Sequence, residues 1–132
     1  MELKNRKIFI LTSFLAATAV AIGAFGAHGL EGKISASSLA SYKTGVFYHF
    51  IHALASLFSL LLFQLIPNKN FRHAALLFLA GIFCFSGSIY LLTTRELTGI
   101  GFVKILGPMT PLGGLLFIFA WCKLILGFVK IK

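Results

Sequence analysis

His49 and His52 stand three residues apart in the stretch GVFYHFIHALASLFSLLLF, and His28 and Glu31 lie where an earlier apolar run ends. Two imidazoles at i and i+3 share a helical face. A third from a neighbouring segment completes a set able to ligate zinc, copper or iron. His28, His49, His52 and Glu31 are therefore the metal candidates. Their spacing is not a metal signature, and histidines in such positions also bond carbonyls, water, a ligand or a proton carrier. Structural hydrogen bonding ranks first, ligand or proton contact second, metal ligation third. No cofactor is expected.

Covalent catalysis needs a nucleophile, a base and an orienting acid. The carboxylates are Glu2, Glu31 and Glu96, none inside an apolar run, and neither a phosphate loop nor a dinucleotide fingerprint occurs. The expectation is a protein that is not an enzyme. A transporter needs polar groups at mid-membrane, broken helices and a repeat. Ser56, Ser59, Gln64 and Ser88 are the candidates at depth, and they read better as small polar residues joining helices. Cys84 and Cys122 lie within apolar segments and read as packing residues.

The elements that must position these groups are membrane helices. Of 132 residues, 58% are hydrophobic and 11% charged, far from the roughly 25% charge of a soluble domain. Four apolar stretches take up most of the length, each near the ~20 residues that cross a bilayer as a helix. The expected fold is all-α, a single membrane domain with helices at about 8–27, 35–66, 71–94 and 111–128. The basic run Lys4, Arg6, Lys7 resembles the start of a signal peptide, but the apolar run that follows is too long for one, so it reads as the first span.

The net charge of +9 is distributed between the spans. Lys4, Arg6, Lys7, Lys69, Arg72, Lys123, Lys130 and Lys132 fall on one side; Lys33, Lys43, Arg95 and Lys104 fall on the other. This bias is topogenic, places both termini in the cytoplasm, and argues against a nucleic-acid partner.

In the second segment Gly45, His49, His52, Ser56 and Ser59 form one small and polar stripe, which must face protein. Ala74, Leu77, Gly81, Cys84 and Ser88 repeat that spacing in the third, with Ser86 and Gly87 turned to a second neighbour. Ala19, Gly23 and Ala27 make a small-residue row in the first. Gly29 is placed for a left-handed cap, and Ser35 for an N-cap. A helix from Ser35 to Pro67 exceeds the bilayer thickness, so it projects or bends near Gly45, with Tyr42 and Lys43 marking the interface. From Arg95 to Thr110 the expectation is irregular backbone, with Thr110-Pro111 starting the last helix and Trp121 near the cytoplasmic interface.

GAFGAHGL after the first helix, YKTGVFYHFIHAL opening the second, FSGSIYLL in the third and LGPMTPLGGLLFIFAW leading into the fourth resemble the domain of unknown function 423 family. That resemblance implies a four-helix protein of the bacterial inner membrane and transfers no reaction, cofactor or catalytic residue. It marks His28, His52, Ser86, Gly87, Tyr90, Pro108, Thr110, Pro111, Gly113 and Gly114 as motif residues. The motif blocks converge on the outer half of the bundle, where His28, His49, His52, Ser88, Tyr90 and Thr110 are expected to form a polar pocket. The functional expectation is a non-enzymatic binding or accessory membrane component. Its partners would be membrane lipid, a second copy or another membrane protein. The alternatives are a small oligomeric transporter or channel, and a histidine-based metal protein.

Overall fold

A computed structural model describes residues 5–101 and 103–131, with Val103 given by its backbone alone. Glu2, Lys4 and Lys132 lie outside the described residues. Four long helices are each long and apolar enough to span a membrane: α1 Arg6–Gly29, α2 Ala36–Leu65, α3 Lys69–Thr93 and α4, whose bounds are Val103–Val129. With four spans both termini fall on one side; the opposite, distal end carries the α1–α2 and α3–α4 connections. Each helix packs against its chain neighbours, α1 on α2, α2 on α3 and α3 on α4. The core is built from Leu15, Ala53, Phe71, Ala74, Phe78, Ile82, Phe117 and Ala120.

Helix α1 continues two residues past the expected end, to Gly29. Leu30, just beyond it, is buried, and its carbonyl accepts from Lys33 N–H at 3.0 Å. Burial of that side chain holds Gly29 in the helix, so the left-handed residue is Gly32, with φ 75°. The buried row of α1 is Thr12, Leu15, Ala19 and Gly26 rather than one ending at Ala27. Gly26 is there because the Tyr42 ring lies on it: an added Cβ would stand 2.8 Å from ring Cδ1. Tyr42 is thus a buried contact to α1 and not an interface marker, its hydroxyl donating to the Ile22 carbonyl at 3.0 Å.

Ser35 caps α2 as expected, its Oγ accepting from Ser38 N–H at 3.1 Å. The 30 residues that follow run helical through Gly45 without a break, about 45 Å at the usual rise, and the stripe Gly45, His49, His52, Ser56, Ser59 is buried throughout. Asn68 ties the turn after α2 to both neighbours. Its Oδ1 accepts from Asn70 N–H at 3.0 Å, and its amide donates to the Gly127 carbonyl of α4 at 3.1 Å.

Helix α3 holds a six-residue π-helical segment, Ile82–Gly87, which no hydrophobic pattern announced. The wider turn shifts the helical phase. Ser86 consequently donates to the Gly45 carbonyl of α2 at 2.8 Å, while Ser88 meets Thr110 of α4 at 2.6 Å. Gly113 of α4 sits directly on this segment, where an added Cβ would lie 2.7 Å from Phe85 Cα.

The irregular stretch expected from Arg95 to Thr110 is shorter. A single turn, Arg95–Thr98, ends at Gly99 with φ 69°, and α4 already runs from Val103 with Pro108 and Pro111 inside it. Proline keeps a helical φ and costs one backbone hydrogen bond. Lys104 and Gly107, the residues whose carbonyls lose those donors, are exposed at the distal end. A helix there leaves fewer backbone groups unsatisfied than a loop would.

Gly113→Ala is expected to lower unfolding stability in micelles by about 1–3 kcal/mol through overpacking. Gly107→Ala, with nothing within 4 Å of its added Cβ, is expected to change it by less than about 1 kcal/mol. Equal losses in denaturant titrations would contradict the contact.

Candidate functional site

The histidines divide. His49 and His52 are buried on α2, whereas His28 in the last turn of α1 and Glu31 in the loop after it are exposed. Among the described residues no group of three or more His, Cys, Asp or Glu side chains gathers closely enough to hold a metal ion. The four metal candidates therefore do not form one site.

His49 Nδ1 lies 3.1 Å from the Tyr90 hydroxyl, linking α2 to α3. Its Nε2 is buried without a hydrogen-bond partner among the described residues. The Tyr90 ring also packs on Tyr42 at 5.1 Å between centroids, so these three side chains fasten α2 to the helices on either side. His52 behaves differently. Its Nδ1 is 2.8 Å from the Tyr48 carbonyl, and its ring lies on Phe117 of α4 with centroids 3.6 Å apart and planes 5° from parallel.

Ser88 and Thr110, the other expected members, form the α3–α4 hydroxyl pair. Ser88 spends its hydrogen on the Phe85 carbonyl at 2.9 Å. The 2.6 Å bond to Thr110 must then be donated by Thr110, leaving the Thr110 lone pairs free to accept.

Those lone pairs face a cavity of about 470 Å³ at the distal end, between α2, the end of α3 and α4. Ser37, Ser38, Ser41 and Thr44 line it from α2, Ile89, Leu92 and Thr93 from α3, and Arg95 and Glu96 from the turn that follows. Thr44 and Thr93 donate to the Ala40 and Ile89 carbonyls of their own helices, at 3.2 and 2.8 Å. Like Thr110 they offer the cavity acceptors, and Glu96 adds a carboxylate. Donors come from Arg95 and from α2's first turn, where Ser37 and Ser38 sit at the positive end of the helix dipole.

Of the expected pocket, only Thr110 lines this cavity. The hydroxyls at 37, 38, 41 and 44 recur on one helical face, a signal present in the sequence. Arg95 and Glu96 read only as loop charges, since their convergence depends on where α3 ends.

A family model described as "Protein of unknown function (DUF423)" matches residues 22–114, the span that contains every residue lining the distal cavity, together with His49, His52 and Tyr90. The chain belongs to the DUF423 family. Similar proteins are the UPF0382 membrane protein YwdK of Bacillus subtilis, 42% identical over 94% of this chain and 98% of that protein, and the UPF0382 membrane protein SAB0533 of Staphylococcus aureus, 41% identical over 94% and 97%. The UPF0382 membrane protein SSP2132 of Staphylococcus saprophyticus is 38% identical over 95% and 99%. No solved structure matches the chain. This DUF423 protein is accordingly a multi-pass membrane protein whose polar groups at depth either join helices, as His49, Ser56, Ser86 and Ser88 do, or bond to their own helix, as Thr12, His52 and Ser59 do.

The His49–Tyr90 contact yields a test. Tyr90→Phe strands His49 and is expected to cost about 1–3 kcal/mol, whereas removing both partners in His49→Leu/Tyr90→Phe is expected to cost less than the sum of the single changes. Strict additivity in micelle unfolding would show that the pair is not coupled.

Proposed function

We propose that this protein is a non-enzymatic binding component of the bacterial inner membrane, with both termini cytoplasmic and the distal cavity open at the outer leaflet. The observation that carries this reading is the cavity's chemistry: a set of acceptors at Thr44, Thr93, Thr110 and Glu96 beside the guanidinium of Arg95. An ammonium group suits the acceptors, and a phosphate suits arginine and a helix N-terminus. Ile89 and Leu92 continue the lining with apolar surface, the surroundings an acyl chain needs. The occupant is therefore a zwitterionic lipid headgroup that carries both charges, such as phosphoethanolamine. The uneven distribution of Lys and Arg supports the orientation.

A transporter reading fits these groups less well, because Ser56 and Ser59 donate to the Ala75 and Ala55 carbonyls, at 3.1 and 2.7 Å, rather than line a path.

Native mass spectrometry of protein exchanged into mixed phosphatidylethanolamine and phosphatidylglycerol tests the site. Retention of phosphatidylethanolamine by the wild type, and its loss at least tenfold in Glu96→Gln and in Ser41→Trp, is expected. Equal retention of both lipids by all three proteins would refute the reading.

A further inference from the structure

A second, separate site is carried by the geometry of His52. Its Nδ1 faces the Tyr48 carbonyl at 2.8 Å, and a carbonyl only accepts, so Nδ1 bears the hydrogen. In the neutral ring Nε2 is then a bare acceptor. One face of the ring is covered by Phe117, and no hydrogen bond from the described residues reaches Nε2. Unlike that of His49, it is not sealed in the core either. His52 lines a groove of about 550 Å³ shared with Tyr48, Pro111, Gly114, Phe117 and Trp121.

This groove lies near the middle of α2 and α4, at bilayer depth, where no water supplies a donor. An unsatisfied acceptor there costs several kcal/mol in hydrocarbon. The other walls are aromatic: Tyr48 packs on His52 at 5.5 Å with planes 19° apart, and Trp121 meets it edge-on at 6.3 Å. Tyr48 is 37% exposed and lines the groove with a ring that carries a hydroxyl. An aromatic ring bearing a hydroxyl satisfies all of this at once, stacking between the rings, donating to His52 Nε2 and accepting from Tyr48.

We infer that this groove is a lateral binding site for a lipid-soluble aromatic alcohol of the quinol class, held by its hydroxyl at His52 Nε2 and by its ring against Tyr48 and Trp121. The inference is independent of the headgroup site at the distal end, since the two cavities share no lining residue. Binding alone is proposed, with no electron transfer.

Trp121 is the only tryptophan, which makes its fluorescence a direct reporter. Full-length protein in nanodiscs is titrated with 2-methyl-1,4-naphthoquinol under reducing conditions and with its dimethyl ether, which lacks the hydroxyl hydrogen. Saturable quenching by the quinol, at least tenfold weaker for the ether, is expected. His52→Phe should reduce quinol affinity at least tenfold. Gly114→Leu should abolish saturation by filling the groove, because an added Cβ there meets only Phe85 ring atoms at 3.9–4.0 Å. Equal affinity for quinol and ether in the wild type overturns the proposal even if His52→Phe does not fold. So does non-saturable quenching, or a groove closed by a second copy of the chain.

Discussion

Hydrocarbon offers no hydrogen-bond partner, and this shapes α2 more than any other element. A helix carrying His49, His52, Ser56, Ser59 and two tyrosines across a membrane must meet its polar atoms on neighbouring helices or its own backbone. The chain does both. Ser56 donates to the α3 carbonyl of Ala75, Tyr42 to the α1 carbonyl of Ile22, and the α2 carbonyl of Gly45 accepts from Ser86 of α3. Each such bond is modest in a membrane, about 0.6 kcal/mol on average, but together they fix which faces of α1 and α3 meet α2. Thr12, His52 and Ser59 instead bond to carbonyls of their own helices.

The π-helical segment of α3 is where this fastening passes to α4. An α-helix would present Ser86 and Ser88 at angles set by the regular repeat; the inserted residue turns one toward Gly45 and the other toward Thr110. It also brings the Phe85 backbone against Gly113, so α4 docks by close backbone approach as well as by the Ser88–Thr110 bond, while α2 docks through the Ser86–Gly45 bond. The distal cavity follows from the same geometry. Helix α2 is longer than a bilayer is thick, its first two turns reach past the end of α3, and the hydroxyls on that overhang face Arg95 and Glu96 across the gap.

Much of this was legible in the sequence. The polar stripe of α2 was readable because small and polar residues at three-four spacing cannot face lipid, and it is buried throughout. The Ser35 cap, the end of α2 before Pro67 and the two-neighbour role of α3 came from equally local rules. The start of α4 did not, because Thr110-Pro111 is a good cap signal, and only the cost of unpaired backbone at the membrane boundary favours extending the helix to Val103. The π segment leaves no mark in composition. The expected pocket failed as a unit for a related reason: depth along a helix was legible, but rotation about it was not, so His49 turned toward Tyr90, His52 toward Phe117, and His28 toward the outside.

The central claim is that α2 is a dry polar seam along most of its length and opens to a polar cavity only at its distal end. Cysteine reactivity measures this directly. In a Cys84→Ala/Cys122→Ala background, single Ser41→Cys and Ser56→Cys variants are exposed in intact membranes to a water-soluble maleimide. The account predicts rapid labelling at position 41 and none at position 56 until the protein is unfolded. Comparable labelling at both positions would reveal a water path along the stripe, contradicting the binding account in favour of a conducting one.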